Sequence, residues 1–113
     1  MNILEETTAL IAALGIPAET GVFTDTAPET YIVVTPLADT YQLFSDDRPG
    51  WETQEARLSL YSRGNYLTIK KEVLTSLFAA GFTVTQRLYI GHEDDTGYHH
   101  YAIDIAKLYP AEG

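Results

Sequence analysis

Apolar residues recur along the chain in two rhythms, and the switches between them outline a fold. Ile3, Leu4, Leu10, Ile11 and Leu14 return at spacings of three, four and seven, which predicts an amphipathic helix. Asn2 reads as its N-cap, Glu5 and Glu6 suit the positive end of the helix dipole, and Gly15 with Pro17 stops it. Glu19 to Glu29 reads as loop from its Gly, Pro and small polar content. Thr30 to Thr35, β-branched and bounded by prolines, predicts a short strand. Tyr41 to Phe44 suggests another, followed by a turn from Asp46 to Gly50.

From Trp51 to Ser62 the rhythm is strict alternation. Ala56, Leu58 and Leu60 face one side, and Glu55, Arg57, Ser59 and Tyr61 the other, until Gly64-Asn65 breaks the strand. The helical period then returns in "YLTIKKEVLTSLFAAG". Its apolar stripe is Ile69, Val73, Leu74, Leu77 and Phe78, Lys70 and Lys71 form a solvated edge, and Gly81 closes it. "FTVTQRLYIGH" and "YHHYAIDIAKLY" predict a closing hairpin around Asp-Asp-Thr-Gly. If Glu93 pairs with Tyr98, then His92 faces His99, Ile90 faces Tyr101, Leu88 faces Ile103 and Arg87 meets Asp104, with Val84 on the buried side. The expectation is a single α+β domain over residues 1–113. Two helices pack on one face of a mostly antiparallel sheet of four to five strands.

Charge narrows the partners. A net charge of −9, with basic residues scattered, lacks the positive footprint that a phosphate backbone requires, so sequence-specific nucleic-acid binding is not expected. Apolar runs of only a few residues predict no membrane span, and an N-terminus without early Lys or Arg reads as structure rather than a secretory leader. With no cysteine, thiolate and disulfide chemistry are excluded.

The candidate chemistry is concentrated in "GHEDDTGYHHYAIDI", which holds every histidine of the chain. The predicted register sets His92 opposite His99 beside Glu93. These three residues would suit zinc in a small metal-dependent hydrolase, with water as the fourth ligand. The competing reading is a polar hairpin tip, since Asp94 and Asp95 are ordinary turn residues and His100 points to the opposite face. The tip reading outweighs the metal. No nucleophile elbow, P-loop, H-E-x-x-H or dinucleotide fingerprint occurs, so neither an enzyme nor a cofactor is expected. Eight tyrosines and Trp51 suit either sheet faces or protein interfaces. In a soluble ligand-binding domain, a further alternative, they would line a pocket.

One series of short motifs is more specific. "LGIP", a loop with "VF", "PETYIVV", "FSDD", "EARLSLYSRGNY", a helix and "AAGF" follow one another in that order. The series resembles the tail completion proteins of long-tailed bacteriophages, also called tail terminator or head–tail joining proteins. The similar positions are Gly15, Ile16 and Pro17; Pro28, Tyr31, Ile32 and Val33; Phe44, Ser45, Asp46 and Asp47; and Leu60, Tyr61 and Ser62. Ser45 departs from the family's usual alanine, and the ending from Gly91 to Tyr109 is longer and more polar. The resemblance implies a structural subunit of the virion tail, assembled in the bacterial host cytoplasm. It implies a ring, commonly a hexamer, at the head-proximal end of the tail, with the tail tube and head-connector proteins as partners. On that reading the segment "FSDDRPGW" is the interface, with Phe44 and Trp51 as aromatic anchors among Asp46, Asp47 and Arg48.

Overall fold

The computed structural model describes residues 2–20, 28–45 and 48–111. Helix α1 spans Ile3–Ala13, and Asn2 Oδ1 accepts the Glu5 backbone N–H at 2.9 Å, as the sequence predicts. Ile3, Thr7 and Ile11 make its buried line, with Leu4, Leu10 and Leu14 half-buried against the core. Thr7 enters that line because its hydroxyl donates to the Ile3 carbonyl and leaves no polar group unpaired. The helix ends at Gly15, whose φ of +78° allows the Ile16 N–H to reach back to the Ile11 carbonyl at 3.3 Å. Helix α2, Tyr66–Ala79, closes the same way, with Gly81 at φ +86° and the Phe82 N–H on the Leu77 carbonyl at 3.0 Å. Both terminations bury the residue that follows the glycine, Ile16 or Phe82.

The strands are β1 (Ala18–Thr20), β2 (Thr30–Ser45), β3 (Arg48–Ser62), β4 (Thr83–His92) and β5 (His99–Pro110). They form one sheet in the order β1-β2-β3-β5-β4, antiparallel throughout except for the short β1–β2 pairing. The fold is α+β, as expected. Ile32 and Val34 of β2, Ala56, Leu58 and Leu60 of β3, and Tyr101, Ile103 and Ile105 of β5 lie side by side on one sheet face. They share one buried cluster with Ile3, Ile11, Val73, Leu74 and Leu77 of the two helices. That cluster is the core.

Several expectations change. The loop expected from Glu19 to Glu29 begins later, because Glu19 and Thr20 belong to β1; residues 21–27 lie outside the described set. The two short strands expected between Thr30 and Phe44 are one strand of 16 residues. Pro36 does not end it, since it stands beyond β1 and beside a bulge at Leu37, where a missing N–H costs little. The bulge reverses the alternation, so Asp39 and Tyr41 follow Ile32 and Val34 on the core side. Of the predicted turn, Arg48, Pro49 and Gly50 are already strand, and Asp46 and Asp47 lie outside the described residues.

Phe78, expected in the buried stripe of α2, is 60% exposed. Each four-residue step along a helix rotates outward by about 40°, so Phe78 passes the edge that Leu74 marks. In the β4–β5 hairpin His92 faces His99 as expected, but bulges at Ile90 and Thr85 shift the remaining pairs. Ile90 turns to solvent, Leu88 faces Ala102, and Arg87 faces Ile103. Asp104 is instead claimed by Arg57 of β3 through two hydrogen bonds of 2.7 and 3.0 Å. That bidentate pair is worth more than an exposed contact with Arg87.

At about 3.3 Å per residue a 16-residue strand spans roughly 53 Å, so β2 and β3 set the long axis of a molecule measuring 54 × 27 × 24 Å. Leu58, fully buried in the central strand, is the most exacting position. Leu58→Asp is expected to lower stability by about 4 kcal/mol or more. Urea titration followed by circular dichroism checks this, and a wild-type midpoint would contradict the face assignment.

Candidate functional site

Two regions collect the side chains that the core does not use. The first is the arm formed by β2 and β3. Strand β4 ends at Thr83, level with Ala106 and Glu55, so beyond Glu55 only β2, β3 and β5 continue. Beyond Trp51, which faces Pro110, the Ala111 N–H still reaches the Gly50 carbonyl at 3.1 Å, and past that point β2 and β3 are the two strands that continue among the described residues. Trp51 is 40% and Tyr41 55% exposed, and the bulge at Leu37 sets them on opposite faces of the arm. Phe44 pairs with Pro49, and Arg48 with Ser45, in the backbone ladder. The side chains of Phe44 and Arg48, like Asp46 and Asp47, lie outside the described set.

The root of the arm is tied firmly to the helices. Gln54 accepts the Ile3 backbone N–H at 2.8 Å and donates to Glu52 at 3.0 Å. The Lys107 ammonium binds the Glu6 carboxylate at 2.5 Å and the Ala80 carbonyl at 2.9 Å, and lies 4.6 Å over the Phe82 ring. It thereby joins α1, the end of α2 and β5. Tyr109 donates to the other oxygen of Glu6 at 2.9 Å, and burial, reinforced by that carboxylate, pushes its phenol well above the ordinary range.

The second region is the opposite end of the sheet, on the face away from the core. Neighbouring strands there align Tyr31, Tyr61 and His100. Tyr31 stacks on Tyr61 at 4.8 Å, and Tyr61 on His100 at 4.3 Å. Tyr98 closes the row edge-on, donates to the Pro28 carbonyl at 2.5 Å, and carries the Arg63 guanidinium 4.5 Å over its ring. Beside the row a cleft of about 260 Å³ is lined by Tyr61, Ile90, Gly91, His92, Glu93 and His100. Burial raises the pKa of Tyr31 and of Tyr61, with Glu93 adding to the effect on Tyr61. Burial also lowers that of His100, against an opposing pull from Glu93. Among the described residues no partner reaches the buried His100 Nε2. Sequence reading missed this row because it needs the register of three strands far apart in the chain.

The expected histidine group comes together only in part. The rings of His92 and His99 lie 4.7 Å apart on the other side of the hairpin. Each is held through Nδ1, His99 by the Tyr89 hydroxyl at 2.9 Å and His92 by Asp94 at 3.1 Å. Glu93 lines the cleft together with His92 and acts on Tyr61 and His100, whereas His99 is not among the residues that line it. Among the described residues no three His, Cys, Asp or Glu side chains are placed to hold a metal ion. Nor do Trp51 and the tyrosines line one pocket, since Trp51 and Tyr61 stand at opposite ends of β3, roughly 33 Å apart at the usual rise per residue. No helix among the described residues is long and apolar enough to cross a membrane.

No protein-family model and no curated protein sequence matches the chain. The residues themselves therefore carry the functional reading.

The environment of His100 gives a pH dependence with a definite sign. Its folded pKa is lowered, so below about 6.5, the ordinary value, the unfolded chain binds the proton more readily and stability falls as pH falls. Above that value the neutral ring costs nothing. His100→Phe is expected to flatten the decline in melting temperature between pH 7 and pH 5.5, read by thermal scans of both proteins. A variant with the wild-type slope would show that His100 is not its source.

Proposed function

We propose that the protein is a structural subunit of a phage tail, a tail terminator or head–tail joining protein that forms a ring at the head-proximal end. The reading rests first on the motif resemblance between Gly15 and Ser62. The observation that carries it further is the arm. A long two- to three-stranded projection, rooted in α1 through Gln54 and Lys107, bears exposed aromatic side chains on both faces. Rigid aromatic anchors on a rooted projection suit docking onto another protein, since they bury large area while losing little conformational entropy. On this reading the partners are further copies of the chain, the tail tube and the head connector. The protein works without catalysis or cofactor, in the host cytoplasm during assembly and in the virion afterwards. The ends of β2 and β3, with Tyr41 and Trp51, form the flank of that docking surface.

Complementation of a phage lacking the gene tests this. Tyr41→Ala combined with Trp51→Ala removes two exposed rings and is expected to leave the melting temperature within a few degrees of wild type. Each lost anchor weakens docking by about 2 kcal/mol, roughly thirtyfold, so the yield of joined, infectious particles should collapse, with tails of irregular length under the microscope. Normal particles from the folded double variant would take the arm out of the mechanism. Normal particles without the gene would remove the reading.

A further inference from the structure

Both outer edges of the sheet are unfinished. Strand β1 covers β2 only from Ile32 to Val34, so from Pro36 onward β2 has no strand on its outer side among the described residues. At the other end β4 pairs only with β5 among the described residues. Such rows of unpaired N–H and C=O groups are templates for another strand. Large exposed apolar side chains stand on both edges: Leu37 (48%) and Tyr41 on β2, Tyr89 (44%) and Ile90 on β4. Each edge also carries one exposed formal charge, Asp39 on β2 and Arg87 on β4, and neither has an ion-pair partner among the described residues. The two signs are opposite.

We infer that β4 of one copy pairs antiparallel with β2 of the next, Arg87 opposite Asp39, so that the ring of the proposed function is one continuous sheet. Strand direction supports this. From β2 through β3 and β5 to β4 the chain reverses three times, so β4 runs antiparallel to β2. Copies set side by side in one orientation therefore bring antiparallel edges together, with their helices on the same side.

The faces and the register agree. Arg87 lies beside Ile103, and Asp39 beside Gln54, which shares the face of Ala56 and Leu58, so both charges stand on the core side of their sheets. With those two opposed, Gln86 meets Thr40, Leu88 meets Ala38 and Tyr89 reaches Leu37. The bulges at Thr85 and Ile90 frame this regular stretch of β4, and the pairing requires the last residues of β4, up to His92, to turn aside at the Ile90 bulge, since the register would otherwise bring His92 to Val34, which β1 covers.

The stagger is also that of a closed sheet. Arg87 is level with Ile103, whereas Asp39 is level with Lys107, four residues further along β5. Four residues of shear across the four strands β2, β3, β5 and β4 incline the strands by roughly 35°, within the range of closed barrels. A heterologous contact of this kind closes into a ring when the rotation per copy permits it.

The inference rests on the ring reading, and charge reversal tests the two separately. Sedimentation of the wild type is expected to show a ring. Arg87→Asp alone and Asp39→Arg alone should sediment as the 12.5 kDa monomer while keeping the wild-type circular dichroism spectrum. The double variant Arg87→Asp/Asp39→Arg should regain the ring. Single variants that remain rings would overturn the edge pairing and leave the ring standing, as would a double variant that stays monomeric. A wild type that stays monomeric at every concentration would overturn the pairing and withdraw the ring as well. If the charges only guard the edges against aggregation, the single variants would form larger disordered species, which also overturns the pairing.

Discussion

Everything in this molecule is arranged around the alternation of β3. It is the central strand, paired along most of its length on both sides, so the direction of each of its side chains is fixed by the ladder. Ala56, Leu58 and Leu60 point one way and are fully buried, and that apolar row is what gives the helices something to cover. Arg57, Ser59 and Tyr61 point the other way, where they collect Asp104, Ala102 and His100 from β5. A slip of one residue would exchange the two sets and place Arg57 in the core. The helices are then held by a few specific contacts. Gln54 receives the start of α1, and Lys107 binds Glu6 of α1 together with the Ala80 carbonyl that caps α2. Helix ends, arm and sheet are joined at one corner.

What sequence reading recovers is what short-range chemistry determines. The Asn2 cap, the Gly15 and Gly81 terminations and the alternation from Trp51 to Ser62 each depend on neighbouring residues, and each is where the pattern places it. The bulges at Leu37, Thr85 and Ile90 are different, since an extra residue is invisible until the partner strand is known. One undetected bulge carried the expected register of Leu88 and Arg87 to the wrong neighbours. Asp104 shows the same limit: two arginines suit it by charge, and only the order of strands decides that Arg57 takes it. Strand β1, three residues at an edge, is too short to show a period at all.

The functional regions divide along the same line. The exposure of Trp51 was legible because it follows a run of polar and turn-forming residues in the sequence, and it is exposed. Sequence could set His92 opposite His99, and their rings do meet, but it could not show that Glu93 acts on Tyr61 and His100 across the sheet. The row of Tyr31, Tyr61 and His100 could be found only by laying three strands side by side. Its burial gives that end of the sheet a compact aromatic cap, and the arm at the far end carries exposed rings instead.

A subunit with a covered core, a rooted arm and two uncovered edges of opposite charge is suited to repeating itself, and the natural chain offers a clean way to observe this because it contains no cysteine. Asp39→Cys combined with Arg87→Cys would place the only two thiols on the edges proposed to meet. Partners in an antiparallel ladder lie about 4.5 to 5.5 Å apart at Cα, within reach of a disulfide. Mild oxidation followed by denaturing electrophoresis is the most direct measurement. A ladder of covalent oligomers that stops at a fixed number of copies is the expected result. Monomer alone under conditions where the protein is assembled would contradict the continuous sheet.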